Sequence, residues 1–80
     1  MNIGLFIKNT RKKKMLPLRA FLIKTKICPD YLRSLEKETA PFAPKESSFY
    51  FLIKKTLELT EEEYEEMLIL KENYKQKDSI

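Results

Sequence analysis

The sequence predicts an all-α protein, a compact set of five short helices around one core. Three observations predict it. Apolar residues recur at three- and four-residue spacing through most of the chain, prolines fall between those periodic segments, and no stretch alternates apolar and polar with β-branched enrichment. The chain has 80 residues, 42% apolar and 35% charged. That is enough for one small core beneath densely charged outer faces, and too little for two.

The elements follow in order. Asn2 can cap a first helix whose Ile3, Phe6, Ile7 and Thr10 share a face. Lys8, Arg11, Lys12, Lys13 and Lys14 load its end with cations, where the helix dipole is negative. Leu18, Phe21, Leu22 and Thr25 mark a second helix, with Pro17 at or just before its first turn, where a missing N–H costs nothing. Cys28, Leu32 and Leu35 mark a third, with Pro29 at its first position. Residues 37–45 carry Pro41 and Pro44 and read as a loop, since proline inside a helix costs ~3 kcal/mol. Phe49, Leu52, Ile53 and Thr56 mark a fourth helix ending near Leu57. Thr60-Glu61-Glu62-Glu63 is a capping box for a fifth, which continues through Tyr64, Met67 and Leu68 toward Tyr74. Residues 1–74 thus form one domain, and 75–80 are expected to be a frayed tail.

Scarcities exclude whole classes of function. With one glycine, Gly4, neither a dinucleotide fingerprint nor a phosphate-binding glycine loop exists. With no histidine and one cysteine, the usual zinc sites, Cys–His and Ser–His–Asp catalysis and an internal disulfide are all absent. No enzymatic activity, no metal and no cofactor is expected. Cys28 is expected to be half-buried, and a lone thiol fits a reducing compartment. The longest apolar run, residues 49–53, is far below the ~20 residues that span a bilayer. The first fifteen residues turn basic where an export signal would stay apolar. The expectation is a cytoplasmic protein with no membrane partner.

Charge is divided along the chain. Residues 1–45 hold eleven Lys and Arg against three Asp and Glu; residues 46–80 hold five against nine. A basic first half suits a polyanion, and an acidic second half something else, although a merely uneven solvated surface gives the same counts. Within the basic half, the second and third helices are separated by a short turn. Two short helices joined this way form a rigid, roughly right-angled unit. With Leu32 and Leu35 inward, the third helix displays Pro29, Asp30, Arg33, Ser34 and Lys37, and a helix so presented fits a DNA major groove.

Ile3-Gly4-x-x-Ile7-Lys8-x-x-Arg11, Leu16, Phe21-Leu22 and Ile27-Cys28-Pro29-x-Tyr31-Leu32-x-x-Leu35-Glu36 resemble the phage-repressor (Cro/XRE-type, lambda-repressor-like) helix-turn-helix family. The similarity continues through the proline-bearing loop and Leu57-x-Leu59-Thr60-Glu61-Glu62-Glu63, and covers residues 3–70. It implies a lambda-repressor-like domain with the helix-turn-helix at helices 2 and 3. It also implies that Arg11 and Glu36 form a structural ion pair tying the first helix to the end of the third. The sequence departs from the family at Pro17 and Leu18, where Ser or Thr and a phosphate-contacting Gln are usual. It departs again at Leu22 for a small Ala, Lys26 for the turn glycine, and Cys28 for a Ser or Thr cap. A left-handed Lys26 costs ~1–2 kcal/mol.

By the resemblance, Pro29, Asp30, Arg33 and Ser34 form the base-reading face. Arg33 suits guanine O6/N7, while Asp30 either accepts from cytosine N4 or only offsets the positive helix start. Lys12, Lys13, Lys14, Arg19 and Lys37 are candidate phosphate contacts, or a solvated charge run. Tyr31 either bonds a phosphate or fills the seam between helices. In the fifth helix Tyr64, Met67 and Leu68 can close the core, which leaves Ile69 and Leu70 partly surplus and points to a homodimer interface of Met67, Ile69 and Leu70, or to a monomer whose last helix is well buried. The expected function is sequence-specific binding of double-stranded DNA as a small transcriptional regulator. The alternative is an interaction module on the same fold, antitoxin-like, with a protein partner and little specific DNA binding.

Overall fold

The computed structural model describes residues 1–74; the tail expected over 75–80 lies outside the described residues. Five helices run in chain order: α1 (Ile3–Lys13), α2 (Leu18–Thr25), α3 (Pro29–Glu36), α4 (Ser47–Leu57) and α5 (Glu61–Glu72). Among the described residues there is no strand. The all-helical class and all five expected elements are present, with α5 stopping at Glu72, short of Tyr74.

Helix starts follow the local chemistry. Asn2 Oδ1 accepts the Leu5 N–H at 2.8 Å and caps α1. The same side chain donates through Nδ2 to the Glu36 carbonyl at 2.9 Å, so one residue both starts α1 and ties it to the last turn of α3. At α5 the Thr60 hydroxyl accepts the Glu63 N–H at 3.1 Å, while Glu63 Oε1 accepts the Thr60 N–H at 2.9 Å. This is the reciprocal box its spacing predicts. Pro17 and Cys28 cap α2 and α3 without a side-chain hydrogen bond, and Pro29 presets the first turn of α3.

Helix ends are built without glycine. Met15, Lys26, Glu38 and Glu58 all adopt left-handed backbone, with φ from 54° to 60°. Each lets the chain fold back on the preceding carbonyls: the Met15 N–H donates to Lys12 O at 3.0 Å and the Leu16 N–H to Arg11 O at 3.1 Å. The same paired bonds recur after α3 and α4, and after α2 a single bond joins the Lys26 N–H to Leu22 O at 2.7 Å. Such a backbone costs ~1–2 kcal/mol at each non-glycine residue.

Gly4 sits elsewhere, inside α1, where α1 crosses the end of α3. A Cβ there would fall inside van der Waals distance of the Leu35 carbonyl carbon and of Glu36 N and Cα. These are backbone atoms, which cannot swing aside. α1 accordingly packs more extensively against α3 than any other helix pair, and also meets α4 and α5, while α2 rests on α4. Ile3, Ile7, Phe21, Leu35, Ile53 and Met67 are fully buried between them.

Two tyrosines hold the proline-bearing loop to this core. Tyr50 Oη donates to Pro44 O at 2.6 Å, and Tyr74 Oη donates to Ala40 O at 2.8 Å. Burial pushes both phenols above their ordinary range and keeps them protonated donors.

Substitutions at the two special backbone sites are expected to act in opposite directions. Gly4→Ala should lower stability by about 2–3 kcal/mol through overpacking. Met15→Gly should raise it by about 1 kcal/mol, because the 87%-exposed side chain leaves little packing to lose. Thermal unfolding resolves both, at roughly 4–8 °C per kcal/mol for a domain of this size. A Met15→Gly protein that melts lower than the parent would contradict the strain.

Candidate functional site

α1, the start of α2 and the outer side of α3 border an open cleft of about 240 Å³, lined by Lys8, Arg11, Leu18, Pro29, Leu32, Arg33 and Glu36. The lining holds three cations and one carboxylate, an arrangement suited to an anion. The packing that builds it is simple. Leu32 and Leu35 are buried toward α1; Pro29 and Arg33, one turn apart beside Leu32, are exposed where α3 borders the cleft, and Asp30 and Lys37 are exposed farther round the helix. Lys12 and Arg19 are exposed as well, at the end of α1 and in the first turn of α2.

Arg11 and Glu36 face this same cleft but do not pair. The ion pairs among the described residues are Lys13–Glu63, Lys14–Glu63 and Lys54–Glu61. Arg11 Nη1 instead donates to the Leu16 carbonyl at 2.8 Å, closing the turn between α1 and α2. The tie between α1 and α3 that the ion pair was expected to make is made by Asn2 and by the Gly4 contact. Its strength comes from backbone proximity, not from charge.

Further expectations are corrected. Ser34 is half-buried, and its hydroxyl donates to the Tyr31 carbonyl at 2.6 Å, so it is turned back on its own helix. Tyr31 packs partly against the core, where burial raises its pKa, and it lies near enough to Tyr50 and Tyr74 to raise theirs. It fills the seam. Cys28, the N-cap residue of α3, is exposed and not half-buried.

Of the basic run, Lys14 is already engaged. Its Nζ donates to the Glu58 carbonyl at 2.9 Å and to Glu63 Oε1 at 3.1 Å, which fastens the end of α1 to the junction of α4 and α5. Lys13 lies 3.6 Å from Glu63 with its side chain 72% exposed, a contact that leaves the ammonium in solvent. The expected α5 dimer face is also revised. Met67 is fully buried and closes the core, Leu70 is half-buried against it, and Ile69 alone of the three is exposed.

Lys8 is a cleft cation that its position in the sequence assigns only to the helix dipole. Its placement three residues before Arg11 puts both on one side of α1 and is the signal that marks it. Among the described residues, no helix is long and apolar enough to cross a membrane, and no group of His, Cys, Asp or Glu is arranged to hold a metal ion.

Glu63 joins the site's scaffold to pH. Its carboxylate is held below the ordinary range first by the Thr60 N–H, then by the Lys14 ammonium. A folded pKa below the unfolded value near 4.5 contributes stability above that pH, and the contribution is lost as pH falls through the folded value. Lys14→Met is expected to cost about 1 kcal/mol at pH 7 and less at a pH low enough to protonate Glu63 in the folded protein. Urea unfolding at the two pH values checks this, and an equal cost at both would contradict the pairing.

Compared with protein-family models, curated proteins and solved structures, the chain matches none.

Proposed function

We propose that the protein is a small sequence-specific DNA-binding protein, a transcriptional regulator of the lambda-repressor-like helix-turn-helix kind that inserts α3 into the major groove of an operator. The observation that carries this reading is Arg33, exposed on the outer side of α3 at a cleft it shares with Lys8 and Arg11. Exposed Lys12, Arg19 and Lys37 supply cations along the adjoining helix ends. α2 and α3 are joined by only three residues, Lys26, Ile27 and Cys28, and left-handed Lys26 makes the turn.

In this reading Arg33 pairs with guanine O6/N7, Asp30 either accepts from cytosine N4 or offsets the start of α3, and Pro29 offers an apolar contact to a thymine methyl. Phosphates are met by Lys12, Lys13, Arg19 and Lys37. The exposed first turn of α2 has no side-chain cap, so its free N–H groups beside Arg19 suit a phosphate in place of the absent Gln. Occupancy of the operator is then set by protein concentration, dimerisation or a protein partner. A second reading, a partner-binding module with little specific DNA affinity, is favoured by Pro17 and exposed Leu18, which present apolar surface where polar side chains would meet a phosphate.

Selection of bound duplexes from a random pool, followed by variants on the winner, tests the proposal. A consensus should emerge. Arg33→Ala should weaken binding to it by roughly 5- to 150-fold, and to random DNA far less. Lys12→Ala should weaken both alike and lower the salt slope by about one unit. Binding without a salt slope, or a pool that stays unenriched, overturns the proposal in favour of the partner-binding module.

A further inference from the structure

α4 carries two apolar faces, and the fold uses one. Tyr50, Ile53 and Leu57 are buried against the core. On the far side Ser48, Phe51, Leu52 and Lys55 follow i, i+3, i+4, i+7 spacing, which aligns them in one stripe. Phe51 is 53% exposed and Leu52 half-buried. With Glu46 and Phe49 these residues line an open depression of about 460 Å³.

The stripe has a polarity. Glu46 stands at its N-terminal end and Lys55 at its C-terminal end, about 13 Å apart at 1.5 Å per residue. Lys55 Nζ lies 5.5 Å from the Phe51 ring centroid, so the cation is held along the stripe. An apolar stripe that is acidic at one end and basic at the other complements itself when turned by 180°. A two-fold axis across the middle of α4 lays a second α4 antiparallel to the first. It sets each Lys55 against the partner's Glu46, closes Phe51 and Leu52 over the partner's Phe49 and Phe51, and opposes the two helix dipoles. An anionic membrane surface would instead ask for cations at both ends, and a purely basic or acidic partner would satisfy only one.

We propose that the outer face of α4 is the interface of a homodimer, its occupant being a second copy of this chain. It takes the place of the α5 surface, whose Met67 the core consumes. The proposal stands apart from DNA binding: the α4 depression and the α1–α2–α3 cleft share no residue, and its test contains no DNA. A contact made chiefly by one helix pair lies at the small end of interface sizes, so dissociation in the micromolar range is expected.

Sedimentation equilibrium of the full chain, loaded from about 1 µM to 1 mM at low salt, reads the result. The parent should move from monomer to dimer across that range, and Phe51→Asp should remain monomeric. Glu46→Lys and Lys55→Glu should each weaken the dimer roughly tenfold or more by setting like charges together. The double variant E46K/K55E should recover it, and an equimolar mixture of the two single variants should form a heterodimer. Circular dichroism of each variant reports folding, and the charge exchange keeps the test sharp even where Phe51→Asp unfolds. A parent that stays monomeric throughout, or a dimer indifferent to the charge exchange, overturns the proposal.

Discussion

The close crossing of α1 and α3 at Gly4 is the constraint on which the rest of the molecule depends. Only a residue without a Cβ lets the backbone of α1 approach Leu35 and Glu36 this closely. Asn2 locks the crossing by capping α1 and donating to the Glu36 carbonyl at once. Once the inner edge of α3 is committed to α1, helical geometry leaves Pro29, Asp30 and Arg33 no place but the outside. The cleft between Lys8, Arg11 and Arg33 is therefore a by-product of a backbone contact. Interior glycine is unfavourable in a helix by up to ~1 kcal/mol, which the buried contacts of Ile3, Ile7, Leu32 and Leu35 offset.

Around that crossing, polar contacts of long sequence separation decide the arrangement of the other helices. Lys14 reaches across 44 residues to the Glu58 carbonyl and 49 to the Glu63 carboxylate, joining the end of α1 to the start of α5. Tyr74 reaches 34 residues back to Ala40 and so closes the loop that follows α3. Tyr50 does the same locally at Pro44. Because burial raises the pKa of both phenols, their contribution is complete below the ordinary tyrosine range and is lost as pH rises from there through the raised folded values. The helices are thus fastened by a small number of hydrogen bonds at their ends, over a core too small to tolerate the loss of many of them.

Much of this was legible in the sequence because the signals are local. Asn2 and the Thr60–Glu63 box mark helix starts by their own chemistry, and Pro17, Pro29, Pro41 and Pro44 confine the helices between them. Exposure of Arg33, Asp30 and Lys37 follows from the spacing of Leu32 and Leu35. Lys26 takes the left-handed turn its position requires. What stayed hidden depends on distant partners. Nothing near Lys14 distinguishes it from Lys12 and Lys13, since Glu58 and Glu63 select it only after folding. Leu70, surplus by its spacing, is half-buried against the core only once α5 docks. Ser34 gave no sign that its hydroxyl would bond back to Tyr31. The role of Gly4 did have a signal: a lone glycine between Ile3 and Ile7, where any residue but proline favours a helix more, marks a close backbone approach.

The surface assigned to DNA is located most directly by nuclear magnetic resonance, with a short duplex titrated into ¹⁵N-labelled protein at low salt. Shift changes are predicted to gather on the amides around Asp30, Arg33 and Lys37 and on those of Lys12, Leu18 and Arg19, leaving Phe51 and Lys55 still. Changes centred on α4, or none at any duplex concentration, would contradict the assignment of the α1–α2–α3 face to nucleic acid.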